Sequence, residues 1–266
     1  MSLMIETQVV FTNTPYSQLD IDYSSMPLDE FLAARTRQTV RIARELRPDY
    51  LAFSTEQRTD EMLTHQRVST DRYVQFVDDT ITAVGSVKGV ALGAGSGSWE
   101  SPELVRRLAA DPLVDFIDVH IYPLALPGRN LLDAAREMVE LARRNHKRTV
   151  IGEAWLYKAS AAEVAGGVDF VSVIPRDSLA YWAPLDADYV KTIAQFARAS
   201  GISFVSFYWA QFLFAYPELA ATSPTDPIAA LAASNAAAAV AIRAHETTPA
   251  GVVFRRQARR ARSGHA

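Results

Sequence analysis

The sequence predicts an α/β fold built on a mainly parallel sheet, and two observations carry that expectation. Six strand-like runs alternate with stretches of helical period along the chain. Several of those runs are almost continuously apolar, as strands covered on both faces require. A doubly wound sheet and a closed barrel of eight strands both satisfy the alternation.

The elements follow in order. TQVVFTN (7–13) is the first expected strand. Leu28, Phe31, Leu32, Ile42, Ala43 and Leu46 then share one helix face, and Pro48 ends that helix. YLAFST (50–55) is the second strand; Tyr73, Phe76, Val77, Ile81 and Val84 mark the next helix, and VKGVALG (87–93) the third strand. The glycine-rich GAGSGSWESP beyond it lacks the Lys-Ser/Thr of a P-loop and reads as a tight turn. Ser101-Pro102 then supplies an N-cap and a first helical residue. FIDVHIY (116–122) is the fourth strand, and Leu131, Leu132, Ala135, Met138, Val139 and Ala142 form the helix stripe before RTVIGE (148–153). The segment from Leu156 to Asp188 reads as a long active-site loop, with VDFVSVIP (168–175) the best candidate for an extra strand. Tyr189, Val190, Ile193, Phe196 and Ala197 make another stripe, ISFVSFYW (202–209) the sixth strand, and the Ala-rich stretch near 227–244 the last helix.

Composition narrows the function classes. The chain is 49% hydrophobic and 21% charged, an ordinary globular balance with length for one sizeable core. A formal net charge of −3 gives no global basic field for nucleic acid. The exception is FRRQARRARSGHA, where five Arg fall between 255 and 262; residues 246–266 read as a basic, disordered tail following one catalytic domain over 1–245. With no cysteine, disulfides, thiolate nucleophiles and Cys-based metal sites are excluded. No signal peptide or membrane-spanning run is visible, so the chain as written is expected to be soluble and cytoplasmic, unless it begins late and has lost a signal.

Ligands of parallel α/β folds bind at the carboxyl ends of strands. There the sequence places Asn13, Glu56, Trp99, Asp118, His120, Tyr122, Glu153, Trp155, Tyr208 and Trp209. A carboxylate closing an apolar run, as in TVIGEAWLYK, costs several kcal/mol to desolvate unless something there uses it. Two such carboxylates, Glu56 and Glu153, can hold different protonation states, which glycosidic bond cleavage with retention requires. Indole faces such as those of Trp155 and Trp209 can stack on a sugar ring.

The segments PDYLAFSTEQ, DFIDVHIYP, TVIGEAWLYK and FVSFYWAQFLFAY resemble strands four, six, seven and eight of the large clan of retaining (β/α)8-barrel glycoside hydrolases. The resemblance covers most of residues 5 to 215 and is nearest to a galactanase-like branch. It implies that Glu56 is the general acid/base and Glu153 the nucleophile, acting on a β-linked carbohydrate without cofactor or metal. It further implies that Tyr122 or His120 hydrogen-bonds Glu153 and that Trp209 floors the sugar site. From their strand-end positions, Asn13, Trp99 and Trp155 are expected as further substrate contacts. Thr55 stands where the clan usually carries Asn before the acid/base. On this alignment the first strand here is the clan's third, so the chain is a (β/α)8 TIM-type barrel lacking its first two βα units, with an open edge that an oligomer could cover. Two alternatives stand beside it. Glu56, Asp118, His120 and Glu153 also resemble the divalent-metal set of xylose-isomerase-like barrels, and a degenerate barrel could bind glycan or a partner protein without turnover.

Overall fold

The structure, a computed structural model, describes residues 3–7, 23–85, 87–122, 130–166, 168, 170–217 and 227–263. Strands and helices alternate along it as expected of an α/β protein, with six strands rather than eight among the described residues. The chain divides into two compact units. The first runs to Ile121 and resumes over Asn130–Gly152; the second holds Tyr122 and everything from Glu153 onward.

In the first unit, β1 (Met4–Glu6), β2 (Tyr50–Ser54), β3 (Ala91–Gly97), β4 (Phe116–His120) and β5 (Arg148–Ile151) pair in parallel, in chain order. Their apolar side chains are the core: Leu51, Phe53, Phe116, Ile117 and Ile151 are fully buried. Helices α1 (Leu28–Leu46), α2 (Gln57–Thr64), α3 (Thr70–Val84), α4 (Pro102–Ala110) and α5 (Leu131–Arg144) link the strands. Side chains of Ser69, Ser101 and Asn130 accept the orphan N–H groups at the starts of α3, α4 and α5, and Pro102 opens α4. Helix α2 directly follows Glu56 and has no apolar stripe long enough to have announced it.

Two local expectations shift. The first strand occupies Met4–Glu6 rather than 7–13; Thr7 already lies past its end, and 8–13 fall outside the described residues. The glycines of GAGSG, expected in a tight turn, lie inside β3. Gly93, Gly95 and Gly97 alternate onto one face, and a Cβ there would overlap the Phe116 ring, the Asp118 carbonyl oxygen and the Trp99 ring respectively. Close approach of neighbouring groups, not chain reversal, accounts for these glycines.

The second unit contains α6 (Ala161–Ala165), α7 (Phe170–Asp177), α8 (Ala183–Ala199), the two-residue strand β6 (Phe204–Val205), α9 (Pro227–Ala244) and α10 (Pro249–Ser263). A capping box of Ser160 and Glu163 starts α6. The segment considered as an extra strand is α7, and the expected long loop is largely helical.

The C-terminal segment is also corrected: α10 packs on α8, where a disordered tail was expected. Ala250 and Gln257 are buried, and the Arg198 guanidinium donates to Gln257 Oε1 at 2.6 Å. Thr248 anchors the start of α10 by donating its hydroxyl to the Phe212 carbonyl at 2.7 Å. Arg255, Arg256, Arg259 and Arg260 lie on the exposed face, so the charge run is one side of an amphipathic helix. No described helix is long and apolar enough to cross a membrane.

Gly95 gives the most direct test of the sheet. Gly95→Ala should destabilise the protein by more than about 3 kcal/mol, because the methyl group can fit only by moving β4 backbone. Urea unfolding of the purified variant measures this.

Candidate active site

The first unit gathers its polar groups around one imidazole. Asp118 and His120 sit two residues apart on β4 and so project from the same face. Both are fully buried. His120 Nδ1 lies 2.8 Å from Glu56 Oε1, in hydrogen-bonding geometry. Its Nε2 lies 2.8 Å from Glu6 Oε1 and 3.9 Å from Asp118 Oδ2. Glu6 closes β1, and Glu56 stands at the start of α2, two residues past β2. Strand ends therefore deliver each group, as parallel topology requires.

Smaller groups fix these carboxylates. The Thr59 hydroxyl donates to Glu56 Oε2 at 2.5 Å, and the Thr55 hydroxyl donates to Glu6 Oε1 at 3.3 Å. Asp118 Oδ1 accepts the backbone N–H of Gly152 at 2.7 Å. Burial, reinforced by the charge of Glu6, pushes the Asp118 carboxyl up to about 7, while His120 and the Gly152 N–H pull the other way. Glu100 is buried nearby, accepting the Ser96 hydroxyl at 2.5 Å and the Arg58 N–H at 2.9 Å. Burial raises its carboxyl too, and Glu56's charge adds to that rise.

The second unit supplies the other carboxylate. The Tyr122 hydroxyl donates to Glu153 Oε2 at 2.5 Å. Burial, then the charge of Glu153, raises the Tyr122 phenol well above its ordinary value, so it stays a donor at any working pH. Tyr157 stacks on the Tyr122 ring at 5.2 Å, and Tyr208 meets its edge at 6.2 Å. Glu153 is 8% exposed.

Beyond Glu153, the chain is clamped from behind. Lys158 is buried; its Nζ donates to Asp186 at 2.5 Å and lies 4.7 Å over the Trp155 ring. Tyr216 donates to the other Asp186 oxygen at 2.6 Å. The Lys158 N–H donates to Asp177 at 2.8 Å, and Arg176 donates to the Lys158 carbonyl at 2.8 Å.

Of the residues singled out in the sequence, Glu56, Asp118 and His120 come together in the first unit, and Tyr122 and Glu153 in the second. Of the two residues expected beside Glu153, Tyr122 hydrogen-bonds it through its hydroxyl. Trp155 is corrected: with no exposure, set against Phe212 and Lys158, it is a core residue with no face open to a sugar. Trp209 is partly exposed beside the exposed Tyr208 ring, 4.8 Å away. Trp99 is partly exposed, with its ring over Gly97. Asn13 lies outside the described residues. Glu6 was missed, although Leu3, Met4 and Ile5 run into it as the residues before Glu153 run into that carboxylate.

No protein-family model matches the chain, and a search of curated proteins finds no match.

Asp177 provides a pH test of the clamp. Burial pushes its carboxyl from 3.8 up to about 7, against the pull of Lys158. The folded chain therefore holds this proton more tightly than the unfolded chain, and the stability it contributes is lost as pH rises through about 7. Asp177→Asn, which keeps an acceptor for the Lys158 N–H, should gain about 2–3 kcal/mol on the parent protein between pH 5 and pH 8. Urea unfolding of both proteins across that range reads the difference.

Proposed function

We propose that this protein is a glycoside hydrolase that cleaves a β-linked glycan with retention, on a partial barrel whose six strands correspond to strands three to eight of a (β/α)8 fold. The observation that carries the reading is the 2.5 Å hydrogen bond from Tyr122 to Glu153. A donor on one carboxylate oxygen stabilises the anion and leaves the other oxygen to attack. Glu56, oriented by Thr59 and His120, is the proposed partner acid and base.

In the first step, Glu153 forms a bond to the anomeric carbon while the glycosidic C–O bond breaks. Glu56 gives its proton to the leaving oxygen. Water then attacks the glycosyl-enzyme, Glu56 takes the water proton, and Glu153 departs with net retention. This requires both carboxyl groups to reach one glycosidic bond from positions about 5–5.5 Å apart. Tyr208 and Trp209 offer the aromatic surface on which a sugar face would stack.

The test is hydrolysis of aryl β-glycosides and natural β-glycans by the full chain. Glu153→Gln should abolish turnover on both. Glu56→Gln should lose about 10²–10⁴ on natural glycans and much less on substrates with good leaving groups. Tyr122→Phe should lower kcat by about 10–10² while KM changes little, since the hydrogen bond acts on the nucleophile. Full activity of Glu56→Gln on a natural glycan overturns the assignment.

A further inference from the structure

The hydrolase reading uses Glu56 and leaves Glu6 and Asp118 without a task. Both sit at the Nε2 side of His120, opposite Glu56. We propose that Glu6, Asp118 and His120 bind one divalent transition-metal cation, with Glu56 as the histidine's outer partner.

Spacing supports a shared cation. Donor atoms on a cation with bonds of about 2.0–2.2 Å stand roughly 3–4 Å from one another. Glu6 Oε1 and Asp118 Oδ2 lie 2.8 and 3.9 Å from His120 Nε2, close to that spacing. The histidine is already oriented for the task. In the tautomer whose Nδ1–H is donated to Glu56 Oε1, 2.8 Å away, Nε2 offers its lone pair on the side of the two carboxylates. A carboxylate behind a ligating imidazole in this way holds its tautomer and raises its basicity.

A second observation singles out the same point. Asp118 has no exposure, and its Oδ2 has no hydrogen-bond partner among the described residues, although Oδ1 is satisfied by Gly152. A buried carboxylate oxygen left in that state needs a reason. It shares its surroundings with Glu6: a Cβ at Gly152 would overlap both Asp118 Oδ2 and Glu6 Oε2. Glycine at 152 thus leaves room for two carboxylates to converge. Three carboxyl groups around one imidazole would be offset by two positive charges. Two oxygen donors and one imidazole suit Zn²⁺, Co²⁺ or Mn²⁺ better than Ca²⁺ or Mg²⁺.

This site stands without the hydrolase reading, since it concerns binding alone. Calorimetric titration of the chelator-treated full chain with Zn²⁺ should give one equivalent bound with a Kd in the micromolar range or below. Glu6→Gln and Asp118→Asn should each weaken that affinity at least tenfold, while Asp177→Asn leaves it unchanged. Because either variant could unfold, X-ray absorption of the zinc-loaded parent protein provides a second readout. It should show an oxygen and nitrogen shell with a single imidazole. Absence of binding, unchanged affinity in both folded variants, or two or more imidazoles in the shell would overturn the proposal.

Discussion

A buried imidazole held between two carboxylates is the constraint on which the first unit depends. His120 has no contact with solvent, yet its ring nitrogens face Glu6 and Glu56 from strands β1 and β2. Ionised groups in such surroundings cost several kcal/mol each unless they find one another with good geometry. Their ends must therefore reach the same level: Ala52 of β2 pairs with Glu6, and Gly97 of β3 with His120. The alternating glycines of β3 belong to the same requirement, because they let β4 approach closely enough to present His120 and Asp118. Sheet packing and site chemistry are here one problem, solved by residues that have no side chain.

The second unit meets a different need, holding Glu153 still. The residues immediately after it are tied to α7 and α8 by the Lys158 N–H and Nζ, and Trp155 fills the space between that ammonium and Phe212. A buried ion pair of this kind is a poor source of net stability, since desolvation offsets most of its attraction. Its value lies in direction: Lys158, Asp186 and Tyr216 fit together in one arrangement, and that arrangement fixes the chain beyond the carboxylate.

How much of this was legible follows from the kind of signal each residue leaves. Strands β2, β4 and β5 and helices α1, α3, α4 and α5 were visible because apolar period and Ser, Asn and Pro caps act locally. Glu56, His120, Tyr122 and Glu153 were visible because polar groups closing apolar runs are costly without a use. Glu6 escaped because the first strand was placed three residues late, on the more β-branched TQVVFTN. Trp155 was misjudged because sequence cannot say which face of an extended segment turns inward; only Phe212 and Lys158, distant in the chain, decide that. In sequence the glycines of β3 read as a turn because the same residue serves chain reversal and close approach, and only the partner strand distinguishes them.

The docking of α10 changes where the folded part of the chain can be said to stop. Its arginines invite a boundary near residue 245, as though everything beyond were a soluble appendage. Removing it would instead uncover the face of α8 that α10 contacts, and leave the Phe212 and Leu213 carbonyls without the Thr248 donors that reach them. An expression fragment trimmed on charge alone would thus carry a newly bared apolar surface, the kind that sends a protein into inclusion bodies. A helper sequence fused after Ser263, by contrast, would extend from the end of an already docked helix.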